Sequence, residues 1–188
     1  VYKRQEDILS LAQEYNLYVI EDNAQAVGAK YTFTNGETKK TGTMGHIGTT
    51  SFFPSKNLGC YGDGGAIFTN DEELALKIKM IANHGQEKRY YHKVTGCNSR
   101  LDSLQAAILN VKLKYLDEYN QNRLKMANKY DEAFRDLEQI TIPNRSTNST
   151  HVFHQYTLKS ESINRDDILK YLSDRGIPAM IYSVSYTH

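Results

Sequence analysis

Cysteine is scarce in this chain. Cys60 and Cys97 are the only two, too far apart for a C-x-x-C pair and too few for a disulfide framework, so both are read as reduced thiols. Charge of one sign is also lacking. Twenty-three basic residues against 22 acidic ones leave +1, without a basic run or an arginine-aromatic array. That excludes the electrostatic footprint of a nucleic-acid or membrane-surface binder and leaves a small molecule as the expected partner. No apolar run approaches the roughly 18 residues that a membrane helix needs, and Val1-Tyr2-Lys3-Arg4 does not read as a signal peptide, so the cytoplasm is the expected compartment. Internal repeats and low-complexity tracts are absent. The first residue is a valine already inside an amphipathic pattern, and the last, Tyr186-Thr187-His188, follow a strand-like stretch; a piece of a longer protein is expected.

What is present is 188 residues, 39% of them hydrophobic, enough for one substantial core or one domain and part of another. Ile8, Leu11, Ala12 and Tyr15 share a helical face over residues 4–15, and Leu17-Tyr18-Val19-Ile20 reads as a buried strand fed by that helix. Further strands are expected over 48–53 and 66–69, then a helix capped by Asn70 or Asp71, carrying Leu74, Ile78 and Ile81, and stopped by Gly85. Strands alternating with helices predict an α/β domain with a mostly parallel sheet and flanking helices. Leu104, Ile108, Val111 and Tyr115, then Ala127, Tyr130, Phe134 and Leu137, predict one long helix or two joined by a kink. Pro143 and the polar stretch 144–150 predict a loop, followed by a smaller α+β module: a strand over 152–158, a helix over 165–175 between Asn164 and Gly176, and a strand over 179–182. The expected division is residues 1–115 for the larger domain and 116–188 for a connecting helix and the partial smaller one.

Lys56 follows the apolar run and precedes the glycine-rich Cys60-Tyr61-Gly62-Asp63-Gly64-Gly65. Desolvation disfavours an ammonium, and a free amine held away from bulk water attacks carbonyls to give an imine. Asp22 directly follows the first strand, where ligands of open α/β sheets bind. Asp22 and Gln25 also have the spacing of a capping box, and the two roles are compatible. Ser51 offers a hydroxyl suited to phosphate, or is simply packed in its strand. His151 and His154 form an H-x-x-H on an expected strand, where they would face opposite sides, so no metal site is expected. An acid after a strand, a hydroxyl and a lysine close behind it together meet the needs of pyridoxal phosphate, whose ring nitrogen wants an anion and whose aldehyde wants an amine.

Three ordered motifs make a resemblance specific. Glu21-Asp22-Asn23-Ala24-Gln25-Ala26-Val27-Gly28, the run from Ser51 to Ala66, and Gly96-Cys97-Asn98-Ser99-Arg100-Leu101-Asp102-Ser103-Leu104-Gln105-Ala106-Ala107 resemble the DegT/StrS-type nucleotide-sugar aminotransferases, of fold-type I. The resemblance implies Lys56 as Schiff-base former and proton carrier, and Asp22 as the salt-bridge partner of the pyridinium nitrogen. It implies Gln25 packed by the ring and bonded to its phenolic oxygen, and Ser51 on the cofactor phosphate. Asn98 would reach the phosphate of the neighbouring subunit's cofactor, which implies a homodimer with shared sites, and Arg100 would contact substrate or the other subunit.

The implied reaction passes an amino group from an amino acid, glutamate by expectation, to a keto-sugar carried on a nucleotide. His84-Gly85-Gln86 with Arg89-Tyr90 resembles the subgroup acting on UDP-linked acetamido sugars, which places the reaction in amino-sugar and surface-polysaccharide biosynthesis. Relative to that family, the chain lacks the preceding part of the large domain and the proline-rich sequence after Ile181, so these residues alone are expected to be inactive. Two rivals stand beside this reading: a related sugar dehydratase, disfavoured because that branch replaces the lysine, and a catalytically silent or regulatory homologue.

Overall fold

A computed structural model describes residues 4–181. In chain order its elements are α1 (Gln5–Glu14), β1 (Ile20–Asp22), β2 (Lys30–Thr32), β3 (Thr38–Lys40), β4 (Ile47–Ser51), β5 (Gly65–Phe68), α2 (Glu72–Ala82), β6 (Gln86–Lys88), β7 (Tyr91–His92), α3 (Ser103–Leu113), α4 (Leu116–Phe134) and α5 (Arg165–Ser173). The chain divides into two compact units. One comprises residues up to Leu124 together with Arg145–His154, and the other comprises Lys125–Asn144 and the residues from Gln155 on.

The first unit contains a three-stranded sheet ordered β1-β4-β5. β1 runs parallel to β4, but β4 and β5 are antiparallel, so the sheet is mixed rather than mostly parallel. The reason lies in the connection: residues 52–64 contain no helix, and a parallel crossover is usually made by one, so the glycine-rich loop simply turns the chain back. β1 also starts later than the apolar run suggests. Tyr18 and Ile20 are exposed, and the buried residue is Glu21. An edge strand keeps Glu21 inside only because its carboxylate accepts three backbone N–H groups, from Gly42 (2.9 Å), Met44 (2.5 Å) and Gly45 (2.6 Å). Charge-assisted bonds of this kind offset the loss of hydration that would otherwise keep a carboxylate at the surface. On α1 only Ala12 of the expected apolar face is buried.

Two apolar clusters form the core of this unit. Ala26, Ala29, Tyr31 and Val152 pack with Phe33 and Met44. Leu58, Cys60, Leu109 and Leu116 pack with Val27 and Phe52. Asp71 caps α2 by accepting from the Leu74 N–H at 3.0 Å, and Gly85 follows at φ +72. The apolar repeat from Leu101 resolves into two helices, α3 and α4, interrupted at Lys114 and Tyr115.

The expected strand over 152–158 does not form. Phe153 has φ +43, which breaks the extended path, and the neighbouring backbone groups bond to side chains instead of to a ladder. Val152 O accepts from Asn57 Nδ2, the Phe153 N–H donates to His151 Nδ1, and the Phe153 and His154 carbonyls accept from Arg123. In the second unit, Thr141 and Lys159 exchange backbone bonds in an isolated bridge, Tyr156 donates to Asp131 at 2.7 Å, and Tyr130 lies against Phe134 and Tyr156. Asn164 caps α5 through the Asp166 N–H. Residues 179–181 are irregular, and Tyr182, the end of the last expected strand, lies outside the described residues.

Candidate active site

The parallel register of β1 and β4 sets Ile20 beside Ile47 and Asp22 beside Thr49, and the Asn23 N–H donates to Thr49 O at 2.8 Å. Asp22 and Ser51 therefore emerge at the same, carboxyl end of adjacent parallel strands, where α/β sheets open their ligand sites. No helix follows Asp22, so the capping-box reading fails. Residues 24–28 form a turn, in which Asp22 Oδ1 accepts the Ala24 N–H at 3.0 Å, a bond that needs no helix. Ser51 Oγ accepts the Phe53 N–H at 3.2 Å, and the Lys56 N–H donates to Phe53 O at 2.8 Å, curling the chain so that half-buried Lys56 follows at once.

The loop carrying Lys56 is closed on itself. The Phe52 N–H donates to Gly64 O (2.7 Å) and the Cys60 N–H to Phe52 O (2.8 Å), with the Cys60 side chain fully buried between them. Lys112 Nζ caps Gly59 O at 2.5 Å. The third motif docks on the second: Gln105 Oε1 accepts the Tyr61 N–H at 2.8 Å, and the Leu101 side chain lies 2.8 Å from where a Cβ on Gly64 would be. Gln25 is exposed on the turn after Asp22. Asn98 and Arg100 lie on a different loop, bridged to Asn83 at the end of α2. Both are exposed and paired with each other, Arg100 Nε donating to Asn98 Oδ1 at 2.9 Å.

The structure brings two further residues into the surroundings of Lys56. Asn57, next to Lys56, is buried and donates through Nδ2 to Asn120 Oδ1 (2.7 Å) and Val152 O (3.0 Å). His154 returns from far along the chain to the neighbourhood of Lys56. Its partly buried ring is disfavoured as a cation, first by desolvation and then by the positive charges of Lys56 and Arg123, which hold its pKa below the ordinary 6.5. The sequence singled out His154 only as part of an H-x-x-H from which no metal site is expected; among the described residues no group of three or more His, Cys, Asp and Glu is arranged to hold a metal ion. His154 Nδ1 and Asn57 Oδ1 are buried without a hydrogen-bond partner among the described residues. Asp22, Ser51 and Lys56 supply a carboxylate, a hydroxyl and a primary amine at the carboxyl end of β1 and β4, a donor set that would suit pyridoxal phosphate.

A consequence for stability follows from the lowered pKa of His154. The unfolded chain takes up this proton more readily than the folded one, so stability is complete above about 6.5 and is lost as pH falls below it. In the complete protein, H154Q is expected to lose less stability than wild type between about pH 7.5 and about pH 5, read by urea unfolding. Parallel stability curves for the two proteins would contradict it.

Residues 4–188 match the model of the DegT/DnrJ/EryC1/StrS aminotransferase family. The chain belongs to that family. It is 48% identical over 94% of its length to a pleiotropic regulatory protein of Geobacillus stearothermophilus, of which it covers 46%. With the UDP-2-acetamido-2-deoxy-3-oxo-D-glucuronate aminotransferase of Pseudomonas aeruginosa it shares 45% identity, covering 93% of this chain and 46% of that protein. Among solved structures, S. venezuelae DesV in complex with a ketimine intermediate superimposes with a TM-score of 0.84 at 38% identity, over 92% of this chain and 45% of that one. The fold is thus that of the fold-type I aminotransferases, and the chain spans about half the length of the curated relatives it matches. No helix among the described residues is long and apolar enough to cross a membrane.

Proposed function

We propose that the complete protein transfers an amino group from an amino acid, glutamate being the expected donor, to a nucleotide-linked keto-sugar, with pyridoxal phosphate bound at Lys56. The observation that carries the reading is the register of β1 and β4, which puts Asp22 and Ser51 at one strand end with Lys56 on the loop just beyond. Relatives named as aminotransferases of nucleotide sugars, one of them UDP-linked, support the substrate class. Pyridoxal phosphate supplies an electron sink for charge developing at the substrate carbon. Asp22 would hold a proton on the ring nitrogen by its charge, and Gln25, on the same turn, would lie beside the ring. Ser51 Oγ and the adjoining turn would hold the phosphate. Lys56 Nζ is the primary amine that would hold the cofactor, and as a free amine it would accept the proton from the substrate carbon. Asn98, exposed and accepting from Arg100 Nε, would serve a second copy of the chain in a homodimer. Cytoplasmic nucleotide sugars are the expected substrates.

The relative named as a regulatory protein favours a second reading, in which the chain signals rather than catalyses. One experiment separates the two. The complete protein, mixed with pyridoxal phosphate and reduced with borohydride, is expected to carry the phosphopyridoxyl mass on Lys56 by peptide mapping, and to turn over a panel of nucleotide keto-sugars with glutamate. A label on another lysine, or none, sinks the catalytic assignment. A label without turnover of any sugar favours the regulatory reading.

A further inference from the structure

Asp22 and Lys56 belong to different segments, and imine chemistry needs them in fixed relation, since a misplacement of about 1 Å lowers a rate by about 100-fold. Hydrogen bonds through two asparagine side chains join those segments. Asn57 Nδ2 donates to Asn120 Oδ1 at 2.7 Å and to Val152 O at 3.0 Å, and Asn120 Nδ2 donates to Val27 O at 3.1 Å, in the turn that follows Asp22 and Gln25. The orientation of both amides is forced. Val152 O and Val27 O can only accept, so each asparagine must point its NH2 group at a carbonyl, and this leaves Asn120 Oδ1 facing Asn57.

The surrounding chain is shaped to the bridge. Gly28, at φ +89, has no Cβ where one would lie 2.5 Å from Asn120 Nδ2, so the turn can approach α4 closely enough for the bond to Val27 to form. Leu116, one turn before Asn120 on α4, is buried in the same cluster as Leu58, which follows Asn57 in sequence, and Val27 packs against that cluster. Asn57 is itself 8% exposed, so its donors cannot turn to water instead. A buried amide meeting a half-buried one in an otherwise apolar contact stabilises the fold little compared with aliphatic side chains. What the amides add is direction: each bond fixes the Lys56 loop, the Asp22 turn and the 152–154 segment against one another.

We propose that Asn57 and Asn120 are a positioning pair that holds the carbonyl-reactive Lys56 in register with the turn carrying Asp22 and Gln25. This inference rests on the reading of Lys56 and Asp22 given above. Its test uses the complete protein loaded with pyridoxal phosphate, comparing wild type, N57A, N120A and the double variant. All four are expected to take the borohydride label on Lys56, since the amine remains. Each single variant is expected to lower kcat by about 10- to 100-fold, with KM for the sugar and the donor changed by no more than about threefold. The pH midpoint of the bound cofactor's visible band should shift in each, because the distance from Asp22 to the ring nitrogen has changed. The double variant should be no worse than the poorer single one, since both remove the same bridge.

If N57A fails to fold, N120D is informative alone. It keeps an acceptor for Asn57 and loses only the bond to Val27, and the same kcat loss and midpoint shift are expected. Variants that fold, take the label and keep both kcat and midpoint within about twofold of wild type overturn the positioning role while leaving the proposed function intact. Losses that multiply in the double variant also overturn it. A wild type that takes no label on Lys56 overturns both readings.

Discussion

K56A in the complete protein is expected to lower kcat for amino transfer by about 10⁴-fold or more, as removal of a covalent catalyst does elsewhere. On the proposed function two roles would be lost together, the anchoring of the cofactor and the base for the substrate proton. K56R separates charge from chemistry: the guanidinium keeps the positive charge beside His154 but cannot deprotonate to attack a carbonyl, so it should be as inactive as alanine. Both variants should retain the fold, because Lys56 is only half-buried and its loop is closed by backbone bonds between Phe52 and Gly64 and between Cys60 and Phe52. The measurement is kcat with glutamate and an accepted keto-sugar, alongside the far-UV spectrum. Activity of K56R within about tenfold of wild type would remove Lys56 from the mechanism.

The second large effect falls on stability. In E21A, the N–H groups of Gly42, Met44 and Gly45 lose their shared acceptor in a site where Glu21 is only 5% exposed. Gly42 is buried and Met44 and Gly45 half-buried; a buried donor left unpaired costs about 1–3 kcal/mol, so destabilisation of about 2 kcal/mol or more is expected by denaturant unfolding of the complete protein. E21Q should fall between, since its amide offers one acceptor oxygen but presents an NH2 group to a cluster of donors. Because Glu21 immediately precedes Asp22 and holds residues 42–45, E21Q should also weaken cofactor loading. A loss below about 1 kcal/mol in E21A would mean that water replaces the carboxylate at this site.

Local signals in the sequence matched the structure where a single segment decided the outcome. The caps of α2 and α5 were readable because Asp71 and Asn164 need only the N–H groups two or three residues ahead of them. The ordered motifs around Asp22, Lys56 and Asn98 pointed to the family because type and order of residues carry that information without any geometry. Where the sequence pattern misled, a distant partner had intervened. Val152 to Leu158 has the composition of a strand, yet Asn57, His151 and Arg123 satisfy the backbone of its first residues, and no ladder forms. Asp22 and Gln25 have the spacing of a helix cap, but the chain turns away and no helix follows. Nothing in the residues beside Glu21 marks it as buried; the loop at residues 42–45, whose N–H groups its carboxylate accepts, makes it an anchor.

By itself, then, the sequence determined the family and the groups on offer: an amine, an anion and a hydroxyl in a fixed order, with side-chain types that no fold can alter. Tertiary structure decided which of those groups share a place and what holds them there. Parallel pairing of β1 with β4 aligned Asp22 with the end of the strand that leads to Lys56, and the return of His154 and Asn120 to the lysine loop joined residues far apart in the chain. Pairing register and long-range amide bonds depend on where distant segments meet, and neither periodicity nor spacing along one segment encodes that meeting.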